Sequence, residues 1–253
     1  MALRNFNLGH KEDLTWPMDQ SELDNLGATL LVSPRVGNAQ GYSPPTEATY
    51  EAQVAEVSSV RDLVKASTWP SAFMTTHLGS DELSPILAKH LDLSTTNPKK
   101  CADTVRMDHP FDIWDLVISK YISDEGIQPL AAYAHAGDPF VEKVMLRANA
   151  HSQIATSLNK AFDVKYSFGI LRPIEYYDPS FQRFATPNHP ECPAGHGSFC
   201  GGATKAFETY MDATQDQKDA VTFATKQFAM FRSFSGMHIP YSNLLGWTIG
   251  YEA

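Results

Sequence analysis

Two histidines and three cationic side chains in the C-terminal half stand at spacings that suit the handling of a small anion. Lys165 and Arg172 are separated by six residues, and Pro173 follows at once. His196 closes the run Pro193-Ala194-Gly195-His196, and Arg232 precedes His238 with five residues between them. Ammonium and guanidinium groups donate charge-assisted hydrogen bonds to anionic oxygens. The Pro-Ala-Gly-His run falls where a long loop gives way to a helical pattern. The unpaired N–H groups of a helix's first turn, with the positive end of its dipole, make a ready anion site. Gly195 would let the backbone approach a ligand closely, with His196 beside it as proton donor or acceptor. Taken singly, each residue has a plainer reading. A histidine at a helix start is a cap or a solvated side chain; Lys165, Arg172 and Arg232 are surface charges; His238 is a satisfied, half-buried ring. Their joint order and spacing favour the functional reading.

The order Lys-x6-Arg-Pro, Pro-x-Gly-His, Arg-x5-His resembles the signature of the vanadium-dependent haloperoxidases. That signature is shared with the type-2 phosphatidic acid phosphatases and the bacterial class A acid phosphatases. The resemblance covers about Ala150 to Gly250, and the N-terminal half shows nothing specific. It implies that Lys165, Arg172 and Arg232 donate to the equatorial oxygens of a bound oxyanion, with the Gly195 backbone N–H as a further donor. His238 would be the apical partner, bonded to the vanadium of vanadate in a haloperoxidase or carrying a phosphoryl group in a phosphatase. His196 would be the acid–base group on the opposite face. The lead-in Asn188-His189-Pro190-Glu191-Cys192-Pro193 is similar to that of the bromoperoxidases, which place a second histidine seven residues before the acid–base one. His189 stands there; on its own it would be a solvent-exposed loop histidine.

Two positions depart from the family pattern. Ala194 replaces a serine whose hydroxyl bonds the oxyanion, a loss of about 1.5–3 kcal/mol of affinity for one charge-assisted hydrogen bond. Ser242 stands four residues after His238, where the family has an aspartate able to orient the apical histidine. The chain is also shorter than the two-bundle haloperoxidases. Either the N-terminal arm or a second subunit would complete the bundle, and a homo-oligomer is favoured.

The resemblance implies vanadate as cofactor, with hydrogen peroxide, bromide or iodide, and a small organic acceptor as reactants. A soluble phosphatase acting through a phosphohistidine needs the same groups. A scaffold repurposed for non-redox binding or cyclisation is the third reading, motivated by Ala194 and Ser242. Cations around His196 should lower its pKa until an anion binds, so oxyanion affinity should fall as pH rises through the histidine range.

The elements that must position these residues read as helices. Val54, Val57, Val60 and Val64 recur at helical spacing over Glu47–Lys65. Shorter helices are predicted over Asp81–Leu91 and Pro110–Ile122, behind the capping residues Ser80 and Asp108. Asp138-Pro139 opens a helix running to about Phe162, through Val141, Val144, Met145, Ala148 and Ile154. After a Pro- and aromatic-rich loop over Ile170–Pro193, helices are predicted over Gly195–Met211 and Gln215–Phe234, with a short one after His238. Residues 1–48, rich in Pro, Gly, Asn and Ser, read as an extended arm. The expectation is a single all-α domain over 1–253, a helical bundle whose oxyanion-site core spans about 150–250, with the site at a helix N-terminus.

Bulk properties narrow the partners. The 253 residues are 43% hydrophobic and 19% charged, ordinary for a globular chain, and carry a net charge of −9. That charge argues against nucleic acid or an acidic membrane as partner. No apolar run approaches the roughly 20 residues of a membrane span, and Met1–Asp13 lacks a secretory pattern. Cys101, Cys192 and Cys200 have no metal-ligand spacing. A Cys192–Cys200 pair is conceivable, but reduced thiols in the cytoplasm are the plainer expectation.

Overall fold

A computed structural model describes residues 37–105, 109–134, 138–173, 187 and 189–253. Nine α-helices and one π-helical segment make up its regular structure among these residues, apart from an isolated bridge between Pro129 and Met211. The all-α expectation therefore holds. Most of the predicted arm, residues 1–36, lies outside the described residues. So do Asp108, Asn188 and residues 174–186 of the long loop.

Residues 37–46 are non-helical and cross two helices of the C-terminal half. Asn38 N–H donates to the Asp163 carbonyl at 3.0 Å. Tyr42 donates to Glu252 at 2.7 Å, and Tyr241 donates to the Ser43 carbonyl at 2.7 Å. Helix α1 then spans Glu47–Lys65, capped by the Thr46 side chain, which accepts from Thr49 N–H. Its predicted valine stripe is buried together with Tyr50.

The next stretch corrects the sequence reading. Helix α2 covers Ser71–Leu78, a helix that was not predicted, and α3 covers Pro85–Leu91. The helix expected from Asp81 therefore starts four residues later. Pro85 takes its first position, where a missing N–H costs nothing, while the Ser80 hydroxyl accepts from Glu82 N–H in a turn. Helix α4, Pro98–Thr104, was also missed, although Asn97-Pro98 gives the same cap-and-proline signal as Asp138-Pro139. The predicted Pro110–Ile122 helix becomes a π-helical segment, Ile113–Ile118, followed by α5, Ser119–Glu125. Its wider turn buries Ile113, Trp114, Val117 and Ile118.

Helix α6 is longer than expected, Pro139–Phe168, and stops at Gly169 in the left-handed conformation at φ 58°. Such a residue ends a helix cheaply only as glycine. The extension carries Lys165. At the other end Val141, Val144 and Met145 are exposed, and burial along α6 begins at Ala150.

Helices α7 (Gly195–Tyr210), α8 (Gln215–Phe234) and α9 (Pro240–Tyr251) follow. α8 opens with a Thr214–Gln217 capping box. Phe228, Phe231 and Phe234 on α8 join Trp114 in the larger apolar core, with Trp69 edge-on to Phe231 and Phe234. A smaller cluster, including Tyr50, Val54, Val164, Phe168 and Ile239, lies between α1, α6 and α9.

The approach of α7 to α9 is set by four glycines, each pair spaced i, i+4. A β-carbon on Gly197 would fall 2.3 Å from the Asn243 carbonyl oxygen, and one on Gly201 2.0 Å from that of Trp247. Reciprocally, Gly246 faces the Ala194 carbonyl oxygen at 2.3 Å and Gly250 that of Ser198 at 1.9 Å. The two backbones meet without side chains between them. Any larger residue would have to push the helices apart.

Candidate functional site

The loop that precedes α7 is pinned from three directions, and the predicted site residues do the pinning. Lys165, in the last turn of α6 and 0% exposed, donates through Nζ to the carbonyls of Pro190 and Glu191, both at 2.8 Å. Arg172, three residues past the α6 cap, donates through Nε to the His189 carbonyl at 3.1 Å and through Nη1 to the Met237 carbonyl at 3.3 Å. Its Nη2 lies 3.0 Å from His189 Nδ1. The Pro190 carbonyl lies 3.1 Å from the same Nδ1, so this nitrogen faces both a donor and an acceptor. His189 is thus a half-buried partner of Arg172, packed edge-on against Phe162, and not a solvent-exposed loop residue.

Arg232 sits in the last turn of α8, 5% exposed, and donates through Nη1 to the Val105 carbonyl at 2.9 Å. Its Nε is buried and has no hydrogen-bond partner among the described residues. Both Lys165 and Arg232 therefore occupy helix C-terminal turns, where the dipole favours a cation. An ammonium has three protons to donate. Two carbonyls leave one of those of Lys165 for a further acceptor.

His238 lies between α8 and α9 and is 1% exposed. Its Nδ1 is 2.9 Å from Oε1 of Glu191, and its carbonyl accepts from the Ser233 hydroxyl at 2.8 Å. Asn243 donates in turn to the Ser233 oxygen at 2.9 Å. His196 occupies the first turn of α7, with its ring 4.7 Å from that of Phe199. Its Nε2 is buried without a hydrogen-bond partner among the described residues.

Ala194 is the cap residue of α7, and its methyl side chain makes no cap hydrogen bond to the first turn. Ala194 N–H donates to the Ser242 carbonyl at 2.9 Å, which joins the cap to α9. Gly195 differs from the interlocking glycines. A β-carbon there would meet only the Leu158 side chain, at 4.0 Å, so protein packing does not require the glycine.

Electrostatics tie these groups into one site. Burial lowers the pKa of His238 well below the ordinary histidine value, and the charges of Arg172, Lys165 and Arg232 lower it further. Burial and Arg232 do the same to His196, and burial with Lys165 and Arg172 to His189. Burial, then Arg172, holds Lys165 well below its usual range. Arg232 is drawn down to about 9 by burial and Arg172, still charged at neutral pH. Against these cations stands, among the described residues, one buried carboxylate, Glu191, which burial raises while Lys165 and Arg172 pull it back.

No protein-family model matches the chain, and no curated protein matches it. Among solved structures, the chain is similar to one described as the first bacterial vanadium-dependent iodoperoxidase. Identity is 15% over 86% of this chain, with a TM-score of 0.44. The chain spans about half the length of that structure, 50% of which is covered. At that level of likeness, what the site can do has to be read from its own side chains.

Lys165, Arg172, His189, His196, Arg232 and His238 thus sit on α6, α7, α8 and the loops between them and feel one another's charge, while Ala194 and Gly195 form the start of α7 next to His196. Two groups were missed by sequence reasoning. Glu191 lies inside the lead-in motif, and its only signal was a carboxylate between two prolines. The Ser233–Asn243 pair behind His238 had no signal. Ser242 does not orient His238; its hydroxyl donates to the Glu191 carbonyl at 3.3 Å. Cys101, Cys192 and Cys200 are free, buried thiols, so the conceivable Cys192–Cys200 pair is not formed. No helix among the described residues is long and apolar enough to cross a membrane.

Proposed function

We propose that this site binds a tetrahedral oxyanion, and that the protein works with vanadate as a haloperoxidase acting on bromide or iodide. The observation that carries the reading is a pair of buried nitrogens, Arg232 Nε and His196 Nε2, that have no hydrogen-bond partner among the described residues, beside one acceptor in the same state, Glu191 Oε2. A buried polar group without a partner costs about 1–3 kcal/mol. Two of them beside an excess of buried cations favour a site built for an acceptor that carries negative charge. The donor set fits a small oxyanion. Lys165 and Arg232 would supply N–H groups to its oxygens, Arg172 would add its charge, and the first turn of α7 at Gly195 would supply backbone N–H.

Bound vanadate would supply a Lewis acid toward peroxide. The residues of the chain do the rest. His238 would hold the anion through Nε2, and His196, at its own Nε2, is the group suited to hold or release a proton beside it. In the overall reaction the halide loses two electrons, hydrogen peroxide and one proton are consumed, and water leaves with the hypohalous acid, which then halogenates a small organic acceptor. His189, whose carbonyl accepts from Arg172 Nε, would keep that guanidinium directed.

The test is bromide and iodide oxidation by hydrogen peroxide, before and after loading purified protein with orthovanadate. Vanadate-dependent turnover that disappears in His238→Ala supports the proposal. Vanadate-independent turnover overturns it. Absence of oxidation together with hydrolysis of a phosphomonoester would replace it with a phosphatase.

A further inference from the structure

We propose that Glu191 is the positioning residue of His238: its carboxylate holds the ring through Nδ1–H, so that Nε2 presents its lone pair to the oxyanion. The inference rests on the oxyanion reading for its purpose, but the geometry that carries it does not involve the anion.

Glu191 Oε1 lies 2.9 Å from His238 Nδ1 and accepts from Ile239 N–H at 3.0 Å. One oxygen therefore faces the ring and the backbone of the next residue together. With Oε1 already accepting from an N–H, a carboxylate offers Nδ1 a second lone pair, and the ring must supply the proton. The neutral imidazole carries one proton, which leaves Nε2 bare. In free histidine the opposite tautomer, with the proton on Nε2, is the ordinary one, so the site would hold the less common form.

The backbone of Glu191 is also anchored, although its second carboxylate oxygen, Oε2, has no hydrogen-bond partner among the described residues. Glu191 N–H donates to the Ile170 carbonyl at 2.8 Å. Its own carbonyl accepts from Lys165 Nζ at 2.8 Å and from the Ser242 hydroxyl at 3.3 Å. Backbone N–H, backbone carbonyl and side chain are thus bound to three different parts of the fold. Glu191 is 0% exposed and His238 1%, so water does not compete for the pair. The other side of the histidine is fixed by the Ser233 hydroxyl on its carbonyl. A buried carboxylate, a histidine and a fixed tautomer form the arrangement by which an outer group orients a ligating or nucleophilic imidazole. Here that group stands five residues before His196, so one short loop governs both histidines.

Long-range proton–nitrogen NMR of the full chain, free of anion and above the histidine titration range, reads the tautomer directly. The His238 signals are assigned by their loss in His238→Gln. The expected wild-type pattern is Nδ1 protonated and Nε2 bare. Glu191→Gln, whose amide oxygen still accepts, should keep that pattern, whereas Glu191→Leu should lose it and weaken orthovanadate binding at least tenfold. A wild-type His238 protonated on Nε2 overturns the proposal, as does a tautomer unchanged in Glu191→Leu. If Glu191→Leu does not fold, the wild-type pattern and its retention in Glu191→Gln decide. A correct tautomer in a protein that binds no oxyanion would sink the proposed function and leave this assignment standing.

Discussion

A β-carbon built on Gly246 would lie 2.3 Å from the carbonyl oxygen of Ala194. Helix α9 thus presses backbone against backbone at the cap of α7, where the candidate anion site begins. Gly246→Ala should force the two apart and cost about 1–3 kcal/mol, the usual penalty of overpacking. Urea unfolding should show a lower midpoint, and sulfate should protect the variant less than the wild type.

Gly195→Ala separates frame from site. The added methyl has room, with its nearest neighbour at 4.0 Å. Stability without anion should change by no more than about 0.5 kcal/mol. Orthovanadate affinity, followed by calorimetry, should fall, because the methyl would stand where an oxyanion approaches the first turn. Unchanged affinity would place the anion elsewhere.

Ala194→Ser tests the first departure from the family pattern. Ala194 already has the extended cap conformation, φ −71° and ψ 126°, that suits a serine cap. If the new hydroxyl faces the anion, orthovanadate should bind more tightly by up to about 1.5–3 kcal/mol. If it caps α7 instead, thermal stability should rise with or without anion. Melting curves in both conditions tell the two apart, and the first outcome is expected.

Acid should weaken the anion-free protein. His189, His196 and His238 have pKa values lowered by burial and then by neighbouring cations. Between those values and the unfolded value of about 6.5, the unfolded chain binds more protons. The histidine contribution to stability is therefore full above about pH 6.5 and falls as pH drops, while Lys165, held low by burial and Arg172, acts in the same direction at higher pH. Glu191, raised by burial, works in the opposite direction, one group against three. A bound anion reverses the effect of the cations on the histidines. Sulfate, whose charge is constant over this range, should then bind more weakly as pH rises. Flat affinity between about pH 5 and 8 would mean that His196 does not face the anion.

The sequence was most informative where local signals and burial agreed. The valine stripe of α1, the Gln215–Phe234 span of α8 and the Pro-Ala-Gly-His start of α7 were all legible, since each is set by neighbours in the chain. The short helices α2 and α4 were not. Segments of eight and seven residues show too few turns for periodicity to register. The apolar start of α6 misled for another reason: Val141, Val144 and Met145 have the spacing of a buried stripe, but no neighbour among the described residues covers them. At the site, spacing indicated which histidines and cations matter. It said nothing of Glu191, because the pairing with His238 joins residues 47 positions apart.

Lys165, Arg172 and Arg232 are held in place largely by backbone carbonyls, which orient a cation without cancelling its charge. Their positive field survives inside a chain whose net charge is −9. An approaching anion therefore meets repulsion at long range and attraction only once inside. At about 0.1 M ionic strength charges farther apart than roughly 10 Å are screened, while buried ones feel little of it. Stopped-flow mixing should accordingly show anion capture growing faster with added salt, the reverse of what a basic protein surface gives. The site would be hard to find and hard to leave, and salt eases only the finding.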